Sequence, residues 1–180
     1  MIKELKIHDV HLKIPPITKF NQLDKGKICK RKLSPKRRIV ELGLKDLDHC
    51  LHLNKVALNG LWTKPQWATE LKSSSRLCFG IFEEKNILAL SSGWIITNNI
   101  DITAIAVDPC RRREGLGRSI LTKLIKESIL LNVEKANLEV SEANLAARKF
   151  YNSMGFIETG YRKNYFKDGS GAYILSLYIS

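Results

Sequence analysis

The stretch that decides the fold begins at Ile100 and reads IDITAIAVDPCRRREGLGR, residues 100–118. Residues 100–107 alternate and are rich in β-branched side chains, which predicts a strand that Pro109 ends. Gly115 and Gly117 then open a helix, because the apolar positions that follow recur with a period of 3.6 residues. A second strand, ANLEVS at 136–141, and a second helix around 146–151 come next. The core of the chain is therefore expected to be strand, glycine loop, helix, strand, helix.

The glycine loop is the first candidate for binding. A glycine-rich turn that leads into a helix leaves several backbone N–H groups unpaired, and the helix dipole makes this end attractive to anions. Four arginines surround the turn, at positions 111, 112, 113 and 118. The loop therefore suits a phosphate or pyrophosphate. The alternative is an ordinary solvated helix cap beside a charge cluster.

A wider combination of residues strengthens the case for a functional site. It consists of Val107-x-Pro109, Arg112-x-x-Gly115-x-Gly117, Leu138-Glu139-Val140, Asn144, and Tyr151 before Gly155-Phe156. This pattern resembles the GCN5-related N-acetyltransferase (GNAT) superfamily. Within it, the pattern is most similar to the RimI-type enzymes, which acetylate the N-terminal alanine of a small-subunit ribosomal protein. The resemblance is dense from about residue 100 to 165 and weaker from 39 to 99.

The resemblance implies an α/β protein of the GNAT fold, with a mixed, twisted central sheet and helices on both faces. It implies acetyl-CoA as co-substrate, and it assigns cofactor contacts residue by residue. Backbone groups on the strand would bind the acetyl and pantetheine parts, at Ile105, Ala106 and Val107. The loop would hold the pyrophosphate, at Arg112, Arg113, Glu114, Gly115, Leu116, Gly117 and Arg118. Asn144 matches a further cofactor contact and is also suited to cap a helix.

Two residues are candidates for acid–base chemistry. Glu139 lies in a strand between two apolar neighbours that face the opposite side, so it is either a general base or a plain exposed strand residue. Tyr151 is either the acid for the coenzyme thiolate or a core aromatic. Its ordinary pKa of about 10 exceeds the value of about 8.5 for a thiol, so it is expected to hydrogen-bond the sulfur and give up its proton as charge develops.

The resemblance places Trp62 and Tyr165 beside a peptide-substrate groove. The sequence also departs from the RimI pattern: Leu61 replaces a proline, and the turn at 168–172 lacks an acidic pair that usually precedes the last strand. The expected acceptor is a protein N-terminal amine, of the ribosomal-protein-alanine type. The alternatives are a lysine, a polyamine or another small amine, or a non-catalytic module that binds acyl-CoA or contacts RNA.

The remaining elements follow from local signals. We predict a strand at 39–42, helices at 45–59 and from Thr63 to about residue 72, and strands at 77–82 and 87–96. Gly93 inside a strand indicates a bulge or a close backbone approach. The final strands are predicted at 156–166 and 172–179.

Charge divides the chain into two parts. The net charge is +12, and residues 1–38 hold 12 Lys and Arg against 3 Asp and Glu. We therefore predict a basic, loosely ordered extension at 1–38 and an acetyltransferase domain at 39–180. The extension is either a solvated tail or a contact with RNA or a ribosomal particle.

Composition excludes several other classes. No apolar run approaches the roughly 18 residues of a membrane helix, and no N-terminal stretch suits a secretory signal. The four cysteines, at 29, 50, 78 and 110, have no C-x-x-C spacing and are expected to be reduced thiols. The two histidine pairs lack the further ligands of a metal site, so no metal is expected. A cytoplasmic protein without membrane contact is the expected setting.

Overall fold

The computed structural model describes residues 36–166 and 168–179 of the chain. Seven strands form one mixed sheet: β1 Arg37–Glu41, β2 Arg76–Glu83, β3 Asn86–Ile96, β4 Asn99–Val107, β5 Lys135–Ser141, β6 Ile157–Arg162 and β7 Ala172–Tyr178. The four α-helices of this part are α1 Leu47–Ala57, α2 Lys64–Lys72, α3 Leu116–Ile129 and α4 Leu145–Ser153. The order of strands and α-helices is the one predicted from the sequence.

The strand order in the sheet is β1-β2-β3-β4-β5-β7-β6. All neighbouring pairs are antiparallel except β4 and β5, which are joined through α3 and run parallel. A parallel pair needs such a crossover, and the helix of the crossover must cover one face of the sheet. The mixed sheet with helices on both faces is therefore confirmed.

Two apolar clusters hold the helices to the two faces. One cluster combines the buried stripe of α3, including Ile120, Leu121 and Leu124, with strand residues such as Leu138, and α4 packs against it. The other combines α1 and α2 with the opposite face of β2, β3 and β4. The 3.6-residue stripe in α3 is thus buried as the sequence predicts.

Local signals account for most helix ends. Thr63 is the N-cap of α2 and forms a capping box with Gln66, and Gly60 follows α1 with a φ of +72° and donates its N–H to the Asn54 carbonyl. A short 3-10 turn, Leu44–Asp46, precedes α1, so this helix starts later than predicted. A second 3-10 turn, Pro109–Arg111, follows β4.

The bulge expected at Gly93 is present. Ser92 pairs with Ala104 and Gly93 pairs with Ile102, so Thr103 is the extra residue of β4. A Cβ on Gly93 would lie 2.8 Å from side-chain atoms of Ile100, which explains why a glycine occupies this close approach.

Two strand ends differ from prediction. β1 begins at Arg37, so Arg37 and Arg38, which the sequence pattern assigns to the extension, lie in the sheet. β6 ends at Arg162 and not at residue 166, because Asn164 adopts a left-handed conformation with φ of +52° that a strand cannot continue through. Tyr165 therefore lies in a loop. Residues 1–35 of the predicted extension lie outside the described residues.

No helix in the described part of the chain combines the length and the apolar character needed to cross a bilayer. Among the described cysteines, Cys50 and Cys78 are buried free thiols and Cys110 is an exposed free thiol. Cys29 lies outside the described residues.

Candidate active site

A wedge opens in the sheet between β4 and β5. The two strands pair only at their beginnings, where residues 99–101 face residues 135–137. Beyond Asp101 and Asn137 the described residues of β4 and β5 no longer pair with each other, so the two strands separate toward their carboxyl ends. The backbone of β4 at 105–107 still pairs with β3 on its other edge. Its edge toward β5 is therefore available for β-type pairing with an extended ligand.

The predicted acetyl and pantetheine contacts lie on this edge. Ala106 is buried, and Ile105 and Val107 are partly buried. Their side chains alternate between the two faces of the sheet, as in any strand, while their backbone groups lie in its plane. The structure thus places all three predicted residues along the wedge.

The glycine loop lies at the carboxyl end of the same strand. Arg113 and Gly115 both have left-handed backbone, with φ of +70° and +78°. Gly115 is the N-cap of α3 and no side chain caps it, so the first N–H groups of this helix have no capping partner among the described residues. The start of α3, with its dipole, therefore forms a suitable site for a pyrophosphate at the mouth of the wedge.

The charges around the loop divide into two groups. Glu83 accepts hydrogen bonds from Arg111 at 2.7 and 3.0 Å and from Arg37 at 3.1 Å, and Glu114 pairs with the same two arginines. These bonds lower the pKa of Glu83 to about 2 and also lower the pKa of Glu114. The carboxylate of Glu114 is thus engaged, and only its backbone remains for the cofactor contact predicted there.

Three other arginines stand apart from this network. Arg112 and Arg113 are exposed and enter none of the ion pairs of the described residues. Arg118 donates a hydrogen bond to the Ser153 hydroxyl of α4 at 3.2 Å. Arg112 and Arg113 are therefore the cations of the loop that are best placed to meet a diphosphate.

Gly117 and Asn144 connect the loop to α4. A Cβ on Gly117 would lie 3.5 Å from Phe150 and 3.6 Å from Val107, so this glycine sits where α3, α4 and β4 meet. Asn144 is the N-cap of α4, and its Oδ1 accepts a hydrogen bond from the Ala147 N–H at 3.0 Å. The predicted capping role of Asn144 is confirmed, and its amide group retains its donors for a ligand.

Glu139 lies on the other side of the wedge, in β5. Its neighbours Leu138 and Val140 are buried, while its own side chain is 34% exposed. One carboxylate oxygen lies 3.7 Å from the Arg162 guanidinium. The same guanidinium lies over the ring of Tyr165, 5.3 Å from its centroid. Arg162 thus brings together the predicted base and a predicted groove residue.

Arg162 itself was not among the predicted site residues. Its position depends on strand register, because Ala172 of β7 pairs with both Ser141 and Arg162. Period-2 alternation in the sequence shows which residues share a face of a strand, but it does not show which strands are neighbours in the sheet. The position of Arg162 beside Glu139 therefore could not be predicted without knowing the strand pairing.

Tyr151 lies in α4 among other aromatic rings. Its centroid is 5.2 Å from that of Phe150 and 5.7 Å from that of Phe156. Burial raises the pKa of Tyr151 to about 12. Proton transfer from this phenol to a free thiolate of pKa about 8.5 would be uphill by about 5 kcal/mol. The hydroxyl is therefore a hydrogen-bond donor at neutral pH.

Trp62 lies in the segment between α1 and α2. Its backbone and its ring each make contacts that hold this segment in place. Asn54 donates to the Trp62 carbonyl at 2.8 Å and accepts from its N–H at 3.1 Å. The ring of Trp62 meets that of the fully buried Trp67 edge to face, with centroids 4.8 Å apart. These contacts fix the segment, and the half-buried ring packs against the α1–α2 face of the sheet.

Comparison with known proteins gives consistent results. A model of the acetyltransferase (GNAT) family matches residues 47–156. The ribosomal protein bS18-alanine N-acetyltransferase of Escherichia coli K12 is 32% identical over 145 residues, which cover 79% of this chain and 97% of that protein. The protein of the same name from Salmonella typhimurium is 31% identical over 141 residues, covering 71% and 95%. The crystal structure of the Escherichia coli ribosomal-protein-S18-alanine N-acetyltransferase, 32% identical, matches with a TM-score of 0.75 over 81% of this chain and 95% of that one.

Proposed function

The chain belongs to the GNAT acetyltransferase family, and we propose that it transfers an acetyl group from acetyl-CoA to the N-terminal α-amine of a protein. The observation that carries this proposal is the wedge between β4 and β5, with an uncapped helix start at its mouth and Glu139 on its far side. The bS18-alanine type of acceptor is supported by the 32% identity to the Escherichia coli enzyme over most of both chains.

In the proposed mode of binding, acetyl-CoA enters the wedge from the loop end. The backbone of Ile105 to Val107 pairs with its pantetheine part, and the N–H groups of residues 113–118 hold its pyrophosphate. An N–H at Val107 would polarise the thioester carbonyl and stabilise the negative charge that develops on its oxygen. The left-handed backbone at Arg113 and Gly115 and the lack of a side-chain cap at Gly115 support this assignment.

Glu139 is proposed as the general base and Tyr151 as the donor to the leaving sulfur. An α-amine with a pKa near 8 is roughly 10% neutral at pH 7, whereas a lysine near 10.4 is only about 0.04% neutral. A carboxylate, acting directly or through water, is therefore a base of adequate strength for an N-terminal amine. Tyr151 stays protonated at neutral pH, which suits it to stabilise the thiolate as it forms.

The acceptor peptide is proposed to bind between the segment that contains Trp62 and the loop that carries Tyr165. Residues 1–38, of which the structure describes only the last three, are proposed to contact RNA or a ribosomal particle through their basic charge. A cytoplasmic location accords with such a partner.

A panel of acceptors tests the proposal. Thiol release from acetyl-CoA is measured with an alanine-starting peptide, the same peptide with a blocked N-terminus, a lysine peptide and spermidine. Release with the free alanine peptide and loss of release on blocking would support the proposed acceptor. Release with spermidine or the lysine peptide alone would contradict it, and no release with any acceptor would contradict acetyl transfer itself.

A further inference from the structure

Glu142, the first residue after β5, makes three hydrogen bonds to the β6–β7 hairpin. Its Oε2 accepts from the Tyr161 hydroxyl at 2.6 Å, and its Oε1 accepts from the Gly171 N–H at 2.8 Å. Its own N–H donates to the Gly171 carbonyl at 3.0 Å. One residue therefore joins the end of β5 to both ends of the β6–β7 loop, whose described residues are 163–166 and 168–171.

Close packing reinforces these bonds. A Cβ on Gly171 would lie 2.0 Å from the Tyr161 hydroxyl oxygen, so a larger residue there would displace the Tyr161 ring from its present position. Within the loop, the Asp168 carboxylate accepts from the Ser170 N–H at 3.0 Å and from its hydroxyl at 2.7 Å. The part of the loop that leads into β7 is thus hydrogen-bonded to the end of β5.

The β6–β7 loop borders the proposed base, Glu139. It leaves β6 at Arg162, which lies 3.7 Å from Glu139 and over the ring of Tyr165. Glu142 follows Glu139 by three residues on the same segment. Any shift of the loop relative to β5 would therefore change the positions of Arg162 and Tyr165 with respect to the proposed base.

The Glu142 carboxylate reaches the turn before β7 from the end of β5, because it accepts from the N–H of Gly171, which directly precedes Ala172. The bond to Tyr161 lowers the pKa of Glu142 and raises that of Tyr161, so both partners keep their bonding states through neutral pH.

We propose that Glu142 is a positioning residue for the acceptor: it holds the β6–β7 loop, and thereby sets Arg162 and Tyr165 against Glu139 for peptide binding. This inference rests on the proposed function. It assigns Glu142 to acceptor affinity and not to the cofactor, because its bonds lie on the β6–β7 side of the wedge.

The test compares three variants by steady-state kinetics with the alanine peptide and acetyl-CoA. Glu142→Ala removes both side-chain bonds and is expected to raise the peptide KM by about 10-fold, with kcat and the acetyl-CoA KM within about 3-fold of wild type. Glu142→Gln offers an oxygen to Gly171 and an N–H to Tyr161, so it should restore the peptide KM. Glu158→Ala, which removes an exposed carboxylate of β6 that lies 3.7 Å from Arg148, is the control and should change neither KM.

The outcomes separate the two proposals. If the wild-type enzyme does not acetylate the peptide, the proposed acceptor is contradicted. The variants are then compared by their KM for the amine that the wild-type enzyme does acetylate. An unchanged acceptor KM in Glu142→Ala would overturn the positioning role. An equal loss of acetyl-CoA and acceptor affinity would overturn it too, since it would show a general structural effect. If Glu142→Ala fails to fold, Tyr161→Phe removes one bond alone and should raise the acceptor KM by about 3-fold; no rise would overturn the role.

Discussion

At the residue scale, Glu139 combines partial exposure with a cationic neighbour. Its side chain is 34% exposed and one oxygen lies 3.7 Å from Arg162, so the carboxylate can be reached by an incoming amine without a buried charge being left unpaired. General bases contribute about 10²–10⁴-fold to rates. The role of Glu139 can therefore be tested by replacing its charge alone.

We predict that Glu139→Gln lowers kcat by about 100-fold or more at pH 7 and leaves the acetyl-CoA KM unchanged. The glutamine keeps the shape and the polar contact to Arg162 but cannot accept the amine's proton. Stopped assays of thiol release measure both constants, with Glu158→Gln as the control. Activity of Glu139→Gln close to that of wild type would exclude Glu139 as the base.

Tyr151 gives a second prediction at this scale. Because burial raises its pKa to about 12, its hydroxyl donates throughout the neutral range, so the pH profile of kcat should not fall there through Tyr151 ionisation. Tyr151→Phe should lower kcat by about 10-fold or more, through the loss of one hydrogen bond to the developing thiolate. A variant with full kcat would show that Tyr151 is only a core aromatic.

At the element scale, the start of α3 depends on backbone conformation. Gly115 has a φ of +78°, and a Cβ at this position would have no neighbouring atom within 4 Å, so the conformation and not the space requires glycine. A Cβ on Gly43 would also lie in open space, but the φ of Gly43 is −135°. The two glycines form a matched pair that separates backbone strain from steric effects.

We predict that Gly115→Ala weakens acetyl-CoA binding by about 10-fold, because left-handed alanine costs about 1–2 kcal/mol and the loop amides turn away from the pyrophosphate. Isothermal titration with acetyl-CoA measures this directly. Gly43→Ala should leave the affinity unchanged. Equal affinities for Gly115→Ala and wild type would argue against the α3 start as the pyrophosphate site.

The same scale shows what the sequence could and could not predict. The order of strands and helices followed from alternation, the helical stripe of α3 and the glycine and proline breaks. The end of β6 did not, because the aromatic Tyr165 and Phe166 continue the strand pattern while Asn164 turns out of it. The pairing of Glu114 with Arg37 could not be predicted either, since Arg37 lies 77 residues away in sequence and reaches Glu114 only through the sheet.

At the scale of the whole molecule, the network of Arg37, Glu83, Arg111 and Glu114 ties the edge strand β1 to the glycine loop. The folded pKa of Glu83 is about 2, below its ordinary value of 4.5. Its contribution to the free energy of unfolding is therefore fully present above about pH 4.5 and is lost as the pH falls toward 2. The network should therefore contribute to the free energy of unfolding at neutral pH, and this contribution should decrease in acid.

We predict that Glu83→Gln lowers the melting temperature at pH 7 and that the difference from wild type narrows as the pH falls from about 4.5 to about 2. Thermal unfolding at a series of pH values measures this. The neighbouring Glu84, which takes no part in the ion pairs of the described residues, provides the control Glu84→Gln. A difference that stays constant across this pH range would contradict the linkage.

The position of the acetyl group on a single peptide tests the proposed activity most directly. A peptide with a free N-terminal alanine and one internal lysine is incubated with the enzyme and acetyl-CoA, and tandem mass spectrometry locates the added mass of about 42 Da, one acetyl group in place of a proton. We predict acetylation of the α-amine with the lysine left free. Acetylation of the lysine side chain, or an unmodified peptide, would contradict N-terminal transfer.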